Sequence, residues 1–246
     1  MTRFFDFGTP SYTGWRSARN LDGALVPAKK PLAFCGGFGT LSRGSPMKHF
    51  GHSFALILAV LFLSTVPGWA VGTVVIDAGH GGHDRGGVPG QRYAEKIYTL
   101  DIANRVKSRL QAAGFKVVMT RDGDYFVGHG QRCAIANAQR NAVFLSVHLN
   151  SAPRAGASCI ETYYYSRQSA SYAAAVHSRL VRAAGTEDRH IRCRGFYVIR
   201  NTSIPAVLAE CGFLTNAGEG GRIANSSAHR QRIADALADA VIAKWK

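Results

Sequence analysis

VVIDAGHGG, residues 74–82, changes character halfway along its length. Its first half is β-branched and apolar as far as Asp77, which is typical of a buried strand. Its second half presents His80 among glycines, which give the backbone a freedom that a histidine packed in a core does not require. The stretch therefore predicts a strand followed by a loop that positions a histidine to contact another group.

Strand and helix patterns alternate on either side of this junction. Apolar residues recur with helical spacing, or alternate and cluster as in strands, over nearly all of the chain from residue 73 onward. The predicted helices are 93–114, 131–141, 169–185 and 226–246, and the predicted strands are 73–79, 115–121, 142–151, 159–166, 195–201 and 205–213. This alternation predicts an α/β fold: one domain with a twisted, mostly parallel sheet of about six strands, flanked by helices on both faces.

The first 70 residues differ from the rest in composition. Residues 1–46 show no sustained periodicity, and we expect either a disordered lead or an over-extended gene start. Residues 47–70 combine a basic start, an apolar run over 54–63 and small residues before Val71, which is the layout of a secretory signal peptide. An uncleaved signal anchor is the alternative. Residues 71–246 are therefore expected to form the exported domain, in the periplasm or extracellular cell envelope.

The charge and the cysteines bear on partners and compartment. The chain has 30 Lys and Arg against 15 Asp and Glu, a formal net charge of +15. Such an excess favours nucleic acid, an anionic membrane or an acidic polymer as partner. Export and the lack of a nucleic-acid-binding motif argue against nucleic acid and favour an anionic wall or membrane surface. An oxidising compartment would allow two disulfides among Cys133, Cys159, Cys193 and Cys211, with three possible pairings, and buried thiols are the alternative.

Polar residues gather where three predicted strands end. His80 follows the first strand, His148 and Asn150 end the strand at 142–151, and Glu210 lies near the end of the last, while Glu95 begins the first helix. Ligands of open α/β sheets collect at the carboxyl ends of strands. Two histidines and a glutamate can fill three corners of a zinc tetrahedron and leave the fourth for water, from which a further glutamate can take a proton. Taken singly, each residue also has an ordinary structural interpretation.

Five blocks in order resemble the zinc-dependent N-acetylmuramoyl-L-alanine amidases over nearly all of residues 73–245. The blocks are VVIDAGHGGHDRGG, EKIYTLDIANRVKSRL, VVMTRDGD, AIANAQRNAVFLSVHLNS and VIRNTSIPAVLAECGFLTN. The resemblance implies an amidase catalytic domain over 71–246 that hydrolyses the bond between N-acetylmuramic acid and L-alanine in peptidoglycan. It also implies one zinc ion per chain, held by His80, Glu95 and His148, with Glu210 as the catalytic base and acid.

The resemblance leads to finer expectations around the site. Arg200 and Asn201, in the last block, are expected to bind substrate, as is Asn150, and Glu161 is a further candidate for the groove; surface polarity is the alternative. Asp77 or a backbone carbonyl is expected to orient His80. Cys211 stands where the family usually has a small residue, and we expect its thiol to pack or bridge. The remaining histidines, at positions 83, 129, 177, 190 and 229, are expected at the surface.

Regulation and rival functions complete the expectations. Division-associated members of the family carry an inserted helix that plugs the site, whereas only one helix and short loops separate residues 166 and 195 here. The sequence therefore predicts a site open without an activator, on a monomer whose partner is peptidoglycan. The alternatives are another zinc peptidase of the envelope, or a wall-binding module without catalysis.

Overall fold

The computed structural model describes residues 71–154 and 156–246. The predicted lead at 1–46 and the predicted signal peptide at 47–70 lie outside these residues. Among the helices of the described part, none has both the length and the apolar content needed to cross a bilayer.

A six-stranded sheet forms the centre of the fold. Its strands are β1 (Thr73–Ala78), β2 (Lys116–Met119), β3 (Ala142–Asn150), β4 (Ile160–Tyr164), β5 (Asp188–Cys193) and β6 (Ala206–Phe213). Their order is β2-β1-β3-β6-β4-β5, and every neighbouring pair is parallel except β4 with β6. The predicted α/β fold with a mostly parallel sheet is confirmed.

Helices cover both faces of the sheet, but unequally. They are α1 (Glu95–Ala112), α2 (His129–Asn137), α3 (Ala170–Ala184), α4 (Tyr197–Arg200), α5 (Ala217–Asn225) and α6 (Ser227–Trp245). The long helices α1, α3 and α6 bury one face together with side chains such as Ile76 and Leu145. The short helices α2 and α4 pack on the other face against Val75, Phe144 and Leu208. Because successive strand side chains alternate, Asp77, His148 and Glu210 belong to this second face.

Three local predictions were wrong or incomplete. Residues 195–201 are not a strand: Ile199 and Arg200 donate backbone hydrogen bonds to Phe196 O, which closes the single helical turn of α4. Strand β5 was not predicted, because its sequence DRHIRC is a mostly exposed edge strand without apolar alternation. Helix α5 was also not predicted because of its glycines; the Asn216 side chain caps it by accepting from two backbone N–H groups.

The cysteines and two histidines refine the expectations further. Cys133, Cys159, Cys193 and Cys211 are free thiols, and all but Cys193 are buried, as in the buried-thiol alternative. The surface prediction is wrong for His177 and His229, which are 7% and 3% exposed. The His177 ring lies between two polar partners, 3.1 Å from Thr162 Oγ1 and 2.7 Å from Asp188 Oδ1, so the fold satisfies both ring nitrogens inside the protein.

Candidate metal centre and catalytic site

The loop after β1 places His80 through an unusual backbone. His80 has φ 61°, in the left-handed region that few residues other than glycine adopt. Glycines around it allow close approach: a Cβ on Gly79 would collide with the His148 ring. A Cβ on Gly86, where φ is +70°, would lie 2.6 Å from Glu95 Oε2 and 2.7 Å from His80 Cδ2. The glycines therefore let the backbone pack directly against three polar side chains.

His80, Glu95 and His148 converge on one point. His80 Nε2 lies 3.0 Å from Glu95 Oε2, and His148 Nδ1 lies 2.9 Å from Glu95 Oε1. The backbone N–H of Leu149 also donates to Glu95 Oε1, at 2.9 Å. One nitrogen or oxygen atom from each of the three residues lies within 4.8 Å of those of the other two. The structure thus brings together the three side chains that the sequence predicts as ligands.

The protonation states follow from this cluster. Burial alone would raise the pKa of Glu95, but the hydrogen bonds from His148 and His80 outweigh it and lower the pKa to about 2. Burial alone would lower the pKa of His80, but Glu95 and Asp84 raise it to about 9. The pKa of His148 is also raised, since Glu95 outweighs its burial. In the absence of an ion, the cluster therefore pairs an ionised Glu95 carboxylate with imidazoles that favour the protonated form, and a cation that binds the ring nitrogens has to displace those protons.

Asp84, and not Asp77, orients the imidazole of His80. Asp84 Oδ2 lies 2.8 Å from His80 Nδ1, and its Oδ1 accepts a hydrogen bond from Gly86 N at 3.1 Å. This leaves His80 Nε2 directed at Glu95. A carboxylate on the second ring nitrogen is the usual partner of a metal-binding histidine. Asp84 was missed in the sequence, although its position four residues after His80 in the same glycine-rich loop was a usable signal.

Asp77 instead holds the His80 loop indirectly, through Arg132. Arg132 Nη1 donates to Asp77 Oδ1 at 2.6 Å, and the hydroxyls of Thr120 and Ser146 donate to the same carboxylate at 2.7 Å each. Arg132 Nη2 also donates to His80 O at 2.7 Å. Burial would raise the pKa of Asp77, but Arg132 and the two hydroxyls outweigh it, so the pKa lies below its ordinary value. The buried ion pair thus holds the backbone that carries His80.

A second buried arginine, Arg121, joins the His80 loop to the start of α1. It is 0% exposed and donates to Gly79 O at 2.8 Å and to Lys96 O at 2.9 Å. Further bonds reach Ala78 O, Gly123 O and Thr99 Oγ1. Within the described residues it pairs with no carboxylate. Its charge is therefore balanced by carbonyl dipoles, and it ties the loop of one candidate ligand to the helix of another.

Glu210 lies beside the cluster on the neighbouring strand. It is paired in register with His148 across β3 and β6. Its Oε2 is buried and has no hydrogen-bond partner among the described residues. Burial raises its pKa to about 8, an effect that the carboxylates of Glu95 and Glu161 reinforce and His148 opposes. The adjacent Cys211 is buried on the other face, where its thiol packs in the core.

The predicted substrate residues are distributed unevenly. Asn150 donates from Nδ2 to Glu161 Oε2 at 2.9 Å, and Glu161 is paired with Glu210 across β4 and β6, so both lie next to the site. Arg200 and Asn201 are exposed at the end of α4, and Asn201 Nδ2 donates to Tyr197 O at 2.9 Å. A cavity of about 130 Å³ adjoins His80 and His148. Its walls are Asp77, His80, His129, Arg132, His148, Phe196, Tyr197, Val198 and Leu208, which include neither Arg200 nor Asn201.

Comparisons with known proteins identify the family of this chain. The sequence matches the family profile described as N-acetylmuramoyl-L-alanine amidase over residues 74–243. The chain is 38% identical over 173 residues to the uncharacterized protein YqiI of Bacillus subtilis (strain 168), which covers 69% of this chain and 82% of that protein. It is 32% identical over 178 residues to N-acetylmuramoyl-L-alanine amidase LytC of the same strain, which covers 71% of this chain and 36% of LytC.

Solved structures give the same result. The fold is similar to the catalytic domain of CwlV, an N-acetylmuramoyl-L-alanine amidase from Bacillus (Paenibacillus) polymyxa var. colistinus, with a TM-score of 0.65 and 37% identity. That match covers 70% of this chain and 97% of the CwlV domain, whereas the match to LytC spans only about a third of LytC. The matched range contains His80, Glu95, His148 and Glu210. The chain therefore belongs to the N-acetylmuramoyl-L-alanine amidase family, which confirms the family and the enzyme class predicted from the sequence blocks.

Proposed function

We propose that this chain hydrolyses the amide bond between N-acetylmuramic acid and L-alanine in peptidoglycan, with one zinc ion held by His80, Glu95 and His148 and with Glu210 as general base and acid. The observation that carries the proposal is the convergence of two imidazoles and a carboxylate beside a buried carboxylate oxygen to which no described residue donates a hydrogen bond. Family membership supports the reaction, and the local geometry supports the roles of the residues.

The donor set fits zinc. Two histidines and one glutamate are a ligand combination typical of catalytic zinc sites, in which a fourth position stays open. The 3.0 Å between His80 Nε2 and Glu95 Oε2 is near the roughly 3.3 Å that separates two ligands about 2.0 Å from a tetrahedral ion. When bound, zinc supplies Lewis-acid chemistry, acidifying water and polarising a carbonyl.

Glu210 moves the proton in the proposed reaction. Its pKa of about 8 would fall toward neutrality beside a divalent cation, so that the carboxylate form becomes available. Its Oε2, to which no residue of the described part donates a hydrogen bond, then accepts a proton from the attacking water as the water oxygen bonds to the carbonyl carbon. The same proton passes to the nitrogen of L-alanine as the carbon–nitrogen bond breaks. The products are a muramic carboxyl group and a peptide with a free amino terminus.

The other residues hold this geometry. Asp84 keeps the His80 ring in orientation, and Arg121 and Arg132 hold the carbonyls of the loop that carries it. A site shaped by buried charges in fixed positions costs little reorganisation during the reaction. A wall-binding module without catalysis would not need a glutamate whose buried oxygen has no hydrogen-bond partner among the described residues, which favours the enzyme over that alternative.

The setting of the reaction is also proposed. We place the chain in the cell envelope, exported by residues 47–70, with peptidoglycan as partner and the basic surface in contact with an anionic wall or membrane. LytC and CwlV are named as amidases of this bond, which is consistent with such a location. Arg200, Asn201 and Asn150 remain proposed substrate contacts. We further propose that the protein acts as a monomer whose site is open without an activator.

Digestion of purified peptidoglycan tests the function. The protein is incubated with and without a chelator, zinc is restored, and the new end groups are identified by mass. Free stem peptides that begin with alanine are expected, and their release should stop with the chelator and resume with zinc. Cleavage between two amino acids would instead indicate a zinc peptidase. The isosteric substitution Glu210→Gln should retain zinc and abolish turnover. The exposed control Glu187→Gln should change neither the zinc content nor the turnover.

A further inference from the structure

A row of polar side chains continues across the sheet beyond Glu210. Strand register pairs His148 with Glu210, and Glu210 with Glu161. One strand further, Tyr163 on β4 is paired with Arg192 on the edge strand β5. Paired residues of neighbouring strands project from the same face of a sheet. The face that carries the proposed ligands therefore extends through Glu161 to Arg192 at the edge.

Glu161 is fixed in this row by its neighbours. It is 6% exposed, and its Oε2 accepts hydrogen bonds from Asn150 Nδ2 and from Tyr163 Oη, both at 2.9 Å. Its Oε1 lies 3.5 Å from Arg192 Nη2. A carboxylate held by two donors is a rigid support for a guanidinium group. Glu161 thus holds the Arg192 head group beside the strand that neighbours Glu210.

The Arg192 guanidinium retains capacity to bind a further group. Its side chain is 43% exposed, and within the described residues its hydrogen bond is from Nε to Arg189 O, at 3.3 Å. Arginine has five N–H donors in a planar fork that matches a carboxylate. A carboxylate that reaches this edge can therefore accept hydrogen bonds from the remaining N–H groups of Arg192.

The spacing relates Arg192 to the scissile bond. Neighbouring strands lie about 4.8 Å apart, which is the step from Glu210 to Glu161. The Arg192 guanidinium lies 3.5 Å beyond Glu161 Oε1, so the path from Glu210 to Arg192 is about 8 Å long. An extended peptide advances about 3.3–3.6 Å per residue. A peptide whose first amide lies at Glu210 would therefore bring its second residue to Arg192.

We infer that Arg192 binds a carboxylate on the second residue of the substrate peptide and so selects for an acidic residue at that position. This inference rests on the proposed function. It places recognition of this carboxylate on Arg192 of β5, supported by Glu161 of β4, in addition to the proposed contacts of Arg200 and Asn201 at the end of α4. Arg192 acts on substrate binding, and the bond-breaking groups remain those described above.

The test uses two soluble substrates of N-acetylmuramic acid linked to a dipeptide of alanine and glutamate. One has free glutamate carboxylates, and the other has them as primary amides. On the acidic substrate, Arg192→Gln is expected to raise KM about 10- to 100-fold, because a charge-assisted hydrogen bond is lost, with kcat within about twofold. On the amidated substrate the variant should match the wild type. Arg192→Lys should recover part of the affinity, and the matched control Arg194→Gln should change neither substrate.

The outcomes separate the two proposals. Equal effects of Arg192→Gln on both substrates, or no effect on either, would overturn the assignment of Arg192 while leaving the amidase function in place. A wild-type protein that cleaves neither these substrates nor purified peptidoglycan would overturn the proposed function and the inference with it. Unfolding temperatures of the variants should stay close to that of the wild type, because Arg192 is partly exposed and Glu161 keeps its hydrogen bonds from Asn150 and Tyr163.

Discussion

Replacing Asp77 by Asn should lower the free energy of unfolding of this protein more than a substitution at its surface does. Asp77 and Arg132 are 1% and 2% exposed and lie 2.6 Å apart, so the substitution leaves a buried guanidinium without its counter-charge. The hydroxyls of Thr120 and Ser146 lose a charged acceptor at the same time. Breaking a buried ion pair from one side costs about 3–5 kcal/mol. For a domain of this size that corresponds to a fall in Tm of roughly 6–20 °C.

Thermal and urea unfolding at pH 7, followed by circular dichroism, measure this loss. The control Thr120→Val removes one hydrogen bond and keeps the ion pair, and it should cost only about 0.5–1.5 kcal/mol. The double variant Asp77→Leu with Arg132→Met removes both charges and should recover part of the loss. An Asp77→Asn protein within about 1 kcal/mol of the wild type would refute the reasoning, since it would show that Arg132 needs no counter-charge.

The same carboxylate predicts a pH dependence. The pKa of Asp77 in the folded protein lies below its ordinary value of 3.8, so the ionised group stabilises the folded state above that pH. This contribution should be lost as the pH falls below about 4 and through the folded-state pKa. In acid titrations followed by circular dichroism, the difference in stability between wild type and Asp77→Asn should therefore shrink. A constant difference down to pH 2 would contradict the assignment.

Four further variants probe the site and the core. Asp84→Asn should weaken zinc binding about 10- to 100-fold in a chelator competition, because His80 loses the carboxylate that orients it; unchanged affinity would count against that role. Arg121→Met should also weaken zinc binding and shift the visible spectrum of the cobalt-substituted protein, since the loop and α1 are no longer joined; an unaltered spectrum would argue otherwise. Gly86→Ala should cost about 1–3 kcal/mol through its positive φ and its contacts with Glu95, measured by urea unfolding. Tyr172→Phe removes a buried hydroxyl that lacks a partner among the described residues, and its Tm should be equal to or higher than that of the wild type.

The sequence alone was sufficient for the parts of the fold that rest on local pattern. Strands β1, β3 and β6 are continuous apolar runs, because both of their faces are covered by helices, and they were predicted with nearly correct bounds. The ligand candidates could be named because strands of a parallel sheet end at one edge, so that polar residues following them meet. Edge strand β5 escaped prediction because one side of it faces solvent and needs no apolar pattern.

The partners of individual side chains were decided only by the tertiary structure. Asp84 and not Asp77 contacts the His80 ring, although both are acidic residues close to it in the chain. Nothing in the sequence distinguishes Arg121 from the other basic residues, yet its side chain is completely buried. Arg192 comes near the row of glutamates only because β4 turns antiparallel beside β6 and brings β5 with it. Strand order of this kind depends on free-energy differences among whole packings, which local periodicity does not contain, whereas the residues able to do chemistry can be listed from the chain itself.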